Sequence, residues 1–252
     1  EQGTHTLRDA GEAVIGLPEA IAGRVAVVFA TIFVAPYSRQ TAPWQKVMYR
    51  NADEAHKLGQ AQLHYYQRLD DTGDMFNIIH TQADLVRTLT TWESGKSLRD
   101  REQGAVLLME NADPIREPKA LEYWVERGLR IVGPAWQASR YSAGTGQPGT
   151  LTDLGRELLE QMMGFNLILD LSHMAEAAYL EALDRYEGPV IASHSNPRRF
   201  NDTDRHLSDD MILKLAERDG VMGIVLYNRF LDRTWSKVDG KNKITLDTVT
   251  AA

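Results

Sequence analysis

The chain has 252 residues, a length at which one α/β barrel domain commonly folds around a single core. Its formal net charge of −7 argues against a nucleic-acid partner, because nucleic-acid-binding surfaces need clustered lysine and arginine. Cysteine is absent, which excludes disulfides, thiolate metal sites and a cysteine nucleophile, so any metal must be bound by histidine, aspartate or glutamate.

The apolar segments bear on location. No run reaches the roughly 18 apolar residues of a membrane span, and the longest, Val25–Ala35, suits a buried strand. The lack of cysteine suits a reducing compartment, so we expect a cytoplasmic protein, and a periplasmic location is also compatible. The chain starts at Glu1 without a signal-peptide pattern and ends at Ala252 within a predicted helix, from which we expect truncation at both ends.

Short apolar runs alternate along the chain with longer helical patterns, which is typical of βαβ units and a parallel sheet. Six runs are predicted as strands: Arg24–Val34, Ala105–Glu110, Leu129–Pro134, Leu167–His173, Pro189–Ser195 and Val221–Leu226. Helices are predicted at Thr41–Leu69, Thr81–Glu93, Pro118–Arg127, Thr152–Met163, Ala175–Tyr186 and Ser208–Arg218. A loop rich in glycine, serine and proline is predicted at Ser142–Thr150.

This alternation predicts one domain over residues 1–252, with the architecture of an incomplete TIM (β/α)₈ barrel that has about six of the eight strands. A doubly wound sheet would also accept six strands, and the pattern alone does not separate the two.

Three predicted strands end on a side chain that can bind a metal, namely Glu110, His173 and His194. Two histidines and one glutamate form a known catalytic zinc set that leaves a position open for water. A single histidine after a strand is more often a structural residue, and a glutamate there is usually solvated. The metal-site hypothesis therefore depends on finding all three at equivalent places, since the carboxyl ends of parallel strands converge over a barrel mouth.

Three segments with specific motifs resemble the membrane (renal) dipeptidase family of zinc metallopeptidases, which are amidohydrolase-type barrels. They are LTDLGRELLEQMMGFNLILDLSH (Leu151–His173), GPVIASHSNPR (Gly188–Arg198) and RHLSDDMILKLAERDGVMGIVLY (Arg205–Tyr227). LLMENADPI (Leu107–Ile115) is similar to the strand of the family that carries a glutamate. The similarity covers residues 100–231 well and the first hundred residues weakly.

The resemblance implies a site with two zinc ions in a full-length member, in which Glu110 is the catalytic carboxylate that bridges them. It also implies that His173 and His194 bind the second ion, and that Arg205 binds the carboxylate of a small peptide substrate. Tyr227 corresponds to a residue lining the substrate pocket. The implied reaction is dipeptide hydrolysis by a metal-bound hydroxide. Family members commonly dimerise, so a homodimer is expected.

The sequence departs from the family at three places. The His-x-Asp pair of the first strand is missing, because His5 is followed by Thr6 and Leu7, and no aspartate after Tyr227 matches the final strand. At most one zinc is therefore expected in this chain. Trp136 stands where the family usually has a histidine, so we interpret it as a pocket wall.

Two other functions remain open on the sequence. One is a different metal-dependent amidohydrolase that acts on an N-acyl or cyclic amide substrate with the same metal ligands. The other is an inactive barrel fragment that serves only as a binding module, which the missing ligands of the first metal would favour.

Overall fold

A computed structural model describes residues 16–37, 47–73, 75–240 and 243–250 of the protein. Its strands are β1 (Val27–Phe33), β2 (Ala35–Pro36), β3 (Met48–Tyr49), β4 (Phe76–Ile78), β5 (Gln103–Glu110), β6 (Leu129–Gly133), β7 (Ser142–Gly144), β8 (Gln147–Leu151), β9 (Ile168–Asp170), β10 (Val190–Ala192) and β11 (Val221–Met222). Its helices are α1 (Leu17–Ala22), α2 (Ala52–Asp71), α3 (Gln82–Thr90), α4 (Leu121–Val125), α5 (Asp153–Gly164), α6 (Glu176–Arg185), α7 (Asp209–Glu217), α8 (Asn228–Leu231) and α9 (Leu246–Thr250). Short 3₁₀ turns lie at Leu98–Asp100, Pro118–Ala120 and Lys237–Asp239.

The main sheet has the order β1, β5, β6, β9, β10 and β11, and each neighbouring pair is parallel. The short strand β4 pairs with the first residues of β5, on the edge that β6 occupies farther along. The six strands form a curled half-barrel, which confirms the predicted incomplete TIM-type barrel. In this arrangement the carboxyl ends of all six strands lie at one rim, where barrel enzymes keep their sites.

The core lies between the sheet and the helices that cover it. Leu107 and Met109 of β5, Ile131 of β6 and Leu169 of β9 are fully buried, as continuous apolar parallel strands require. The two end strands are less covered, because each has one sheet neighbour within the described residues. Accordingly Phe29 of β1 is 47% exposed.

Helix starts follow the capping rule at two predicted positions. The Thr152 hydroxyl accepts a hydrogen bond from the Gly155 amide at 3.1 Å, and the Ser208 hydroxyl accepts one from the Met211 amide at 3.3 Å. Both caps satisfy an amide that has no partner inside its helix, which fixes the first turns of α5 and α7.

The predicted start of the long helix at Thr41 is wrong. The helix begins at Ala52, because the Asn51 side chain accepts a hydrogen bond from the Glu54 amide at 2.9 Å and caps it. Residues 41–46 lie outside the described part of the chain, and Met48–Tyr49 forms β3 instead of helix.

The predicted loop at Ser142–Thr150 is also wrong. β7 and β8 form an antiparallel hairpin, joined by Thr145 and Gly146, and Gly146 has φ +73°. Gly144, Pro148 and Gly149 are poor strand formers, so the strand propensity of the segment is low. The hairpin could therefore not be predicted from the sequence.

Candidate metal centre

Glu110, His173 and His194 come together at the carboxyl rim of the sheet. Nε2 of His173 lies 3.1 Å from Oε1 of Glu110, and Nε2 of His194 lies 3.3 Å from the same oxygen. Their candidate ligand atoms all lie within 4.8 Å of one another, and no other group of at least three such residues occurs in the described part of the chain. The three predicted metal ligands thus face one point, and their role as ligands stays a prediction.

The predicted strand ends differ from the observed ones at the two histidines. β9 ends at Asp170 and β10 at Ala192, so His173 and His194 lie in the turns just beyond the strands. His173 has φ +67°, a backbone conformation that few non-glycine residues adopt. The backbone beyond β10 still bonds to the segment after β11, because the Ser195 amide donates to the Gly223 carbonyl at 2.7 Å, so His194 remains at the rim of the sheet.

The Glu110 end of β5 is held by the residue that follows it. Asn111 has φ +68°, and its side-chain amide donates hydrogen bonds at 3.0 Å to the Val34 carbonyl and to the Tyr49 hydroxyl. Asparagine tolerates this left-handed conformation better than most residues. Asn111 therefore ties the turn after Glu110 to the neighbouring segment that follows β1.

Each histidine uses its other ring nitrogen on a hydroxyl group. Nδ1 of His173 lies 3.1 Å from the Thr145 hydroxyl, in the turn of the β7–β8 hairpin. Nδ1 of His194 lies 2.7 Å from the Ser193 hydroxyl, which in turn donates to the buried Asp170 carboxylate. Contacts of this kind orient an imidazole and leave Nε2 available for a metal.

The charges of the site suit a cation. Burial alone raises the pKa of Glu110, but its hydrogen-bonding contacts with His173 and His194 lower it to about 2, so its carboxylate is ionised at neutral pH. Burial lowers the pKa of His173, which favours the neutral ring that can bind a metal. One carboxylate and two neutral imidazoles are donors that fit a zinc ion.

Arg205, one of the three predicted substrate-binding residues, contacts the segment that carries His194. Arg205 is buried, and it donates hydrogen bonds to the His194 carbonyl at 2.7 Å and to the Ser195 hydroxyl at 3.5 Å. Burial lowers the pKa of Arg205 to about 10, against the opposite effect of the Glu110 and Asp170 charges. Arg205 therefore stays charged beside the centre, and its predicted role in binding a substrate carboxylate remains a prediction.

Two aromatic residues lie on the His173 side of the centre. The ring of Trp136 lies 6.4 Å from that of His173, and the ring of Phe33 lies 5.1 Å from that of Trp136. Tyr227 is 54% exposed, and its ring lies 5.1 Å from that of Phe230 between centroids. The pocket-lining roles of Trp136 and Tyr227 stay predictions.

Four residues of the site were missed in the sequence: Phe33, Thr145, Asp170 and Ser193. Asp170 and Ser193 stand inside the quoted motifs LILDLSH and PVIASH, one to three residues before each histidine, which was the available signal. Phe33 pairs in register with Glu110 at the end of β1, which only strand pairing reveals.

One family model and two curated proteins are similar to this chain in sequence. The model of the membrane dipeptidase family, peptidase family M19, matches residues 4–252. An uncharacterized protein of Acinetobacter calcoaceticus, named for the region 3′ of PQQ-III, is 28% identical over 218 residues, which cover 81% of this chain and 66% of that protein. An uncharacterized dipeptidase of Schizosaccharomyces pombe is 28% identical over 119 residues, 45% of this chain and 29% of that protein.

A solved structure has a similar fold. It is a metallo peptidase of Rhodobacter sphaeroides liganded with a phosphinate mimic of the dipeptide L-Ala-D-Ala, with a TM-score of 0.76 and 22% identity. The match covers 94% of this chain and 71% of that one. The chain spans about two thirds or less of the length of the curated relatives it matches.

Proposed function

Because the chain belongs to the membrane dipeptidase family, peptidase family M19, we propose that it supplies the metal site of a zinc-dependent dipeptidase. The observation that carries this proposal is the convergence of Glu110, His173 and His194 on one point. The substrate proposed is a small dipeptide, in keeping with the dipeptide mimic bound to the Rhodobacter sphaeroides relative.

Zinc is the metal proposed, because two imidazoles and one carboxylate form a catalytic zinc set with an open position. Glu110, His173 and His194 would hold it. When bound, zinc supplies a Lewis acid that polarises the scissile carbonyl and lowers the pKa of a coordinated water. One zinc per chain is expected, since the described residues contain one ligand set, and His5, the weak candidate for the first metal, lies outside them.

The chain's own residues would position the peptide. Arg205 has five N–H donors, and its hydrogen bonds to His194 and Ser195 use two of them, which leaves donors for the C-terminal carboxylate of a substrate. Trp136 and Phe33 would contact an apolar side chain of the substrate and exclude water on the His173 side.

Metal content and dipeptide hydrolysis, measured together, test the proposal. The purified chain is expected to contain about one zinc by elemental analysis, lost in His194→Ala because that change removes a ligand. His64→Ala is the matched control, since His64 lies on the exposed face of α2. A wild-type chain without zinc would contradict the proposal. Turnover of N-acyl or cyclic amides in place of dipeptides would favour the alternative amidohydrolase, and bound zinc without hydrolysis would favour the binding module.

Three further expectations stay predictions: the single domain over 1–252, the homodimer and the cytoplasmic location. Sedimentation of the purified chain tests the homodimer. Within the described residues, none of the helices combines the length and the apolar character that crossing a bilayer requires.

A further inference from the structure

A chain of polar groups runs away from His194 on the side opposite Glu110. Nδ1 of His194 lies 2.7 Å from the Ser193 hydroxyl oxygen, and that hydroxyl donates a hydrogen bond to Oδ2 of Asp170 at 2.5 Å. Asp170 is 1% exposed, so this carboxylate is withdrawn from water. It reaches His194 because β9 and β10 pair with Asp170 opposite Ile191, two residues before Ser193.

The direction of these hydrogen bonds follows from the partners of Asp170. Its Oδ1 accepts hydrogen bonds from the Ser172 amide at 3.0 Å and from the Ser193 amide at 2.9 Å, and its Oδ2 accepts one from the Ser193 hydroxyl. The Ser193 hydroxyl has one proton and gives it to Asp170. Its oxygen can then only accept from the neighbouring imidazole, which requires the proton of His194 to sit on Nδ1.

We propose that Asp170 and Ser193 are positioning residues that hold the His194 proton on Nδ1 and leave Nε2 unprotonated. Nε2 faces Glu110 at 3.3 Å, so the arrangement presents a free lone pair to the metal site. The inference rests on the proposed function for its purpose, since a histidine that binds a metal needs this lone pair. It adds two residues to the site that the proposed mechanism does not use.

The rest of His194 is fixed independently of the ring. Its amide donates a hydrogen bond to the Ser172 hydroxyl at 3.1 Å, and its carbonyl accepts one from Arg205 at 2.7 Å. Two groups therefore compete for the ring proton: the Ser193 oxygen lies 2.7 Å from Nδ1, and the Glu110 carboxylate lies 3.3 Å from Nε2. The shorter distance favours the proton on Nδ1. A change at Ser193 should alter the tautomer. Ser172→Ala removes the acceptor of the His194 amide and a hydroxyl 3.4 Å from that of Ser193, but it keeps the shorter hydrogen bond from Ser193 to Asp170, so the tautomer should stay the same.

The substitution Asp170→Asn reverses the polarity of this chain. The two backbone amides keep the side-chain oxygen of the asparagine on their side, which turns its NH₂ group toward the Ser193 hydroxyl. The hydroxyl must then donate to Nδ1 of His194, and the ring proton moves to Nε2, where it blocks the metal position. Ser193→Ala removes the link, so the ring should populate both tautomers.

Nitrogen NMR of isotope-labelled histidine in the chelator-treated chain tests the proposal, with His194 assigned by its loss in His194→Ala. We expect the Nδ1–H tautomer in the wild type and in the matched control Ser172→Ala, the Nε2–H tautomer in Asp170→Asn, and a mixture in Ser193→Ala. Ser193→Thr keeps the hydroxyl and should restore Nδ1–H. An Nε2–H ring in the wild type, or an unchanged ring in both Asp170→Asn and Ser193→Ala, would overturn the inference.

Zinc affinity gives a second readout. The zinc dissociation constant, from competition with a chromophoric chelator, should rise by about 10- to 100-fold in Asp170→Asn and Ser193→Ala, and little in Ser172→Ala. Equal affinities in all four proteins would overturn the inference. A wild type that shows the expected tautomer but binds no zinc would refute the proposed function and leave the assignment of the proton intact.

Discussion

His206 is a buried histidine beside the site whose ring has no hydrogen-bonding partner among the described residues. Its ring packs edge-on against Phe230 at 4.6 Å between centroids. Burial, together with the positive charges of Arg205 and Arg198, lowers the pKa of His206 to about 4. A protonated ring at this place would be desolvated and would face two guanidinium groups, so the folded protein keeps it neutral.

This shift predicts acid sensitivity of folding. An unfolded histidine has a pKa near about 6.5, so between about pH 6.5 and about pH 4 the unfolded chain binds more protons than the folded one. The free energy of unfolding should therefore fall as the pH is lowered through this window, by an amount on the order of 2 kcal/mol from His206. Urea unfolding at a series of pH values measures it.

His206→Phe is the matching variant, because phenylalanine keeps an aromatic ring against Phe230 and cannot be protonated. It should lose part of the pH dependence between about pH 6.5 and about pH 4, whereas His64→Phe on the exposed face of α2 should keep it. Identical pH dependence in wild type and His206→Phe would show that the ring is not held neutral by the fold.

At the residue scale the sequence predicted the groups that are chemically conspicuous. Glu110, His173 and His194 could be found because each follows an apolar run, and parallel strands bring such positions to one rim. Asp170 and Ser193 could not be assigned, since the contact between them depends on the register of two strands. The same holds for Phe33, whose neighbour Trp136 is about a hundred residues away in sequence.

The β7–β8 hairpin is the element that orients His173. Thr145 in its turn donates its amide to the His173 carbonyl at 2.8 Å and places its hydroxyl 3.1 Å from Nδ1. Thr145→Val removes this hydroxyl at nearly constant volume and should raise the zinc dissociation constant about tenfold, because the ring loses the group that fixes it.

A second threonine in the hairpin provides the control. Thr150 is exposed, and within the described part of the chain its hydroxyl donates a hydrogen bond to the Leu151 carbonyl alone, so Thr150→Val should leave zinc affinity unchanged. Chelator competition compares the two variants under one condition. Equal zinc affinity in Thr145→Val and Thr150→Val would mean that the hairpin covers the site without orienting His173.

At the scale of elements, the long buried strands were predictable and the short ones were not. β5 and β6 are continuous apolar runs, a pattern that indicates a buried parallel strand, and the bounds of both were predicted to within two residues. β4 has three residues and depends on pairing with β5, so no local pattern identifies it. The hairpin was missed for a related reason, since its two strands are stabilised by pairing with each other and not by propensity.

For the molecule as a whole, the six-stranded half-barrel brings three distant segments of the chain to one rim. Glu110 lies on β5, and the two histidines follow β9 and β10, with β6 between β5 and β9 in the sheet. In a flat sheet, β6 would hold Glu110 on β5 apart from the histidines that follow β9 and β10. The curl of the sheet brings these side chains together. The convergence of Glu110, His173 and His194 is thus a property of the barrel curvature, not of any single motif.

A crystal structure of the chain grown with zinc, with anomalous scattering measured at the zinc absorption edge, would locate the metal. We expect one anomalous peak between Glu110, His173 and His194, near Nε2 of both rings, with Nδ1 of His194 still in contact with the Ser193 hydroxyl. A peak at any other place, or none in a chain crystallised with zinc, would show that these three residues do not form the metal site.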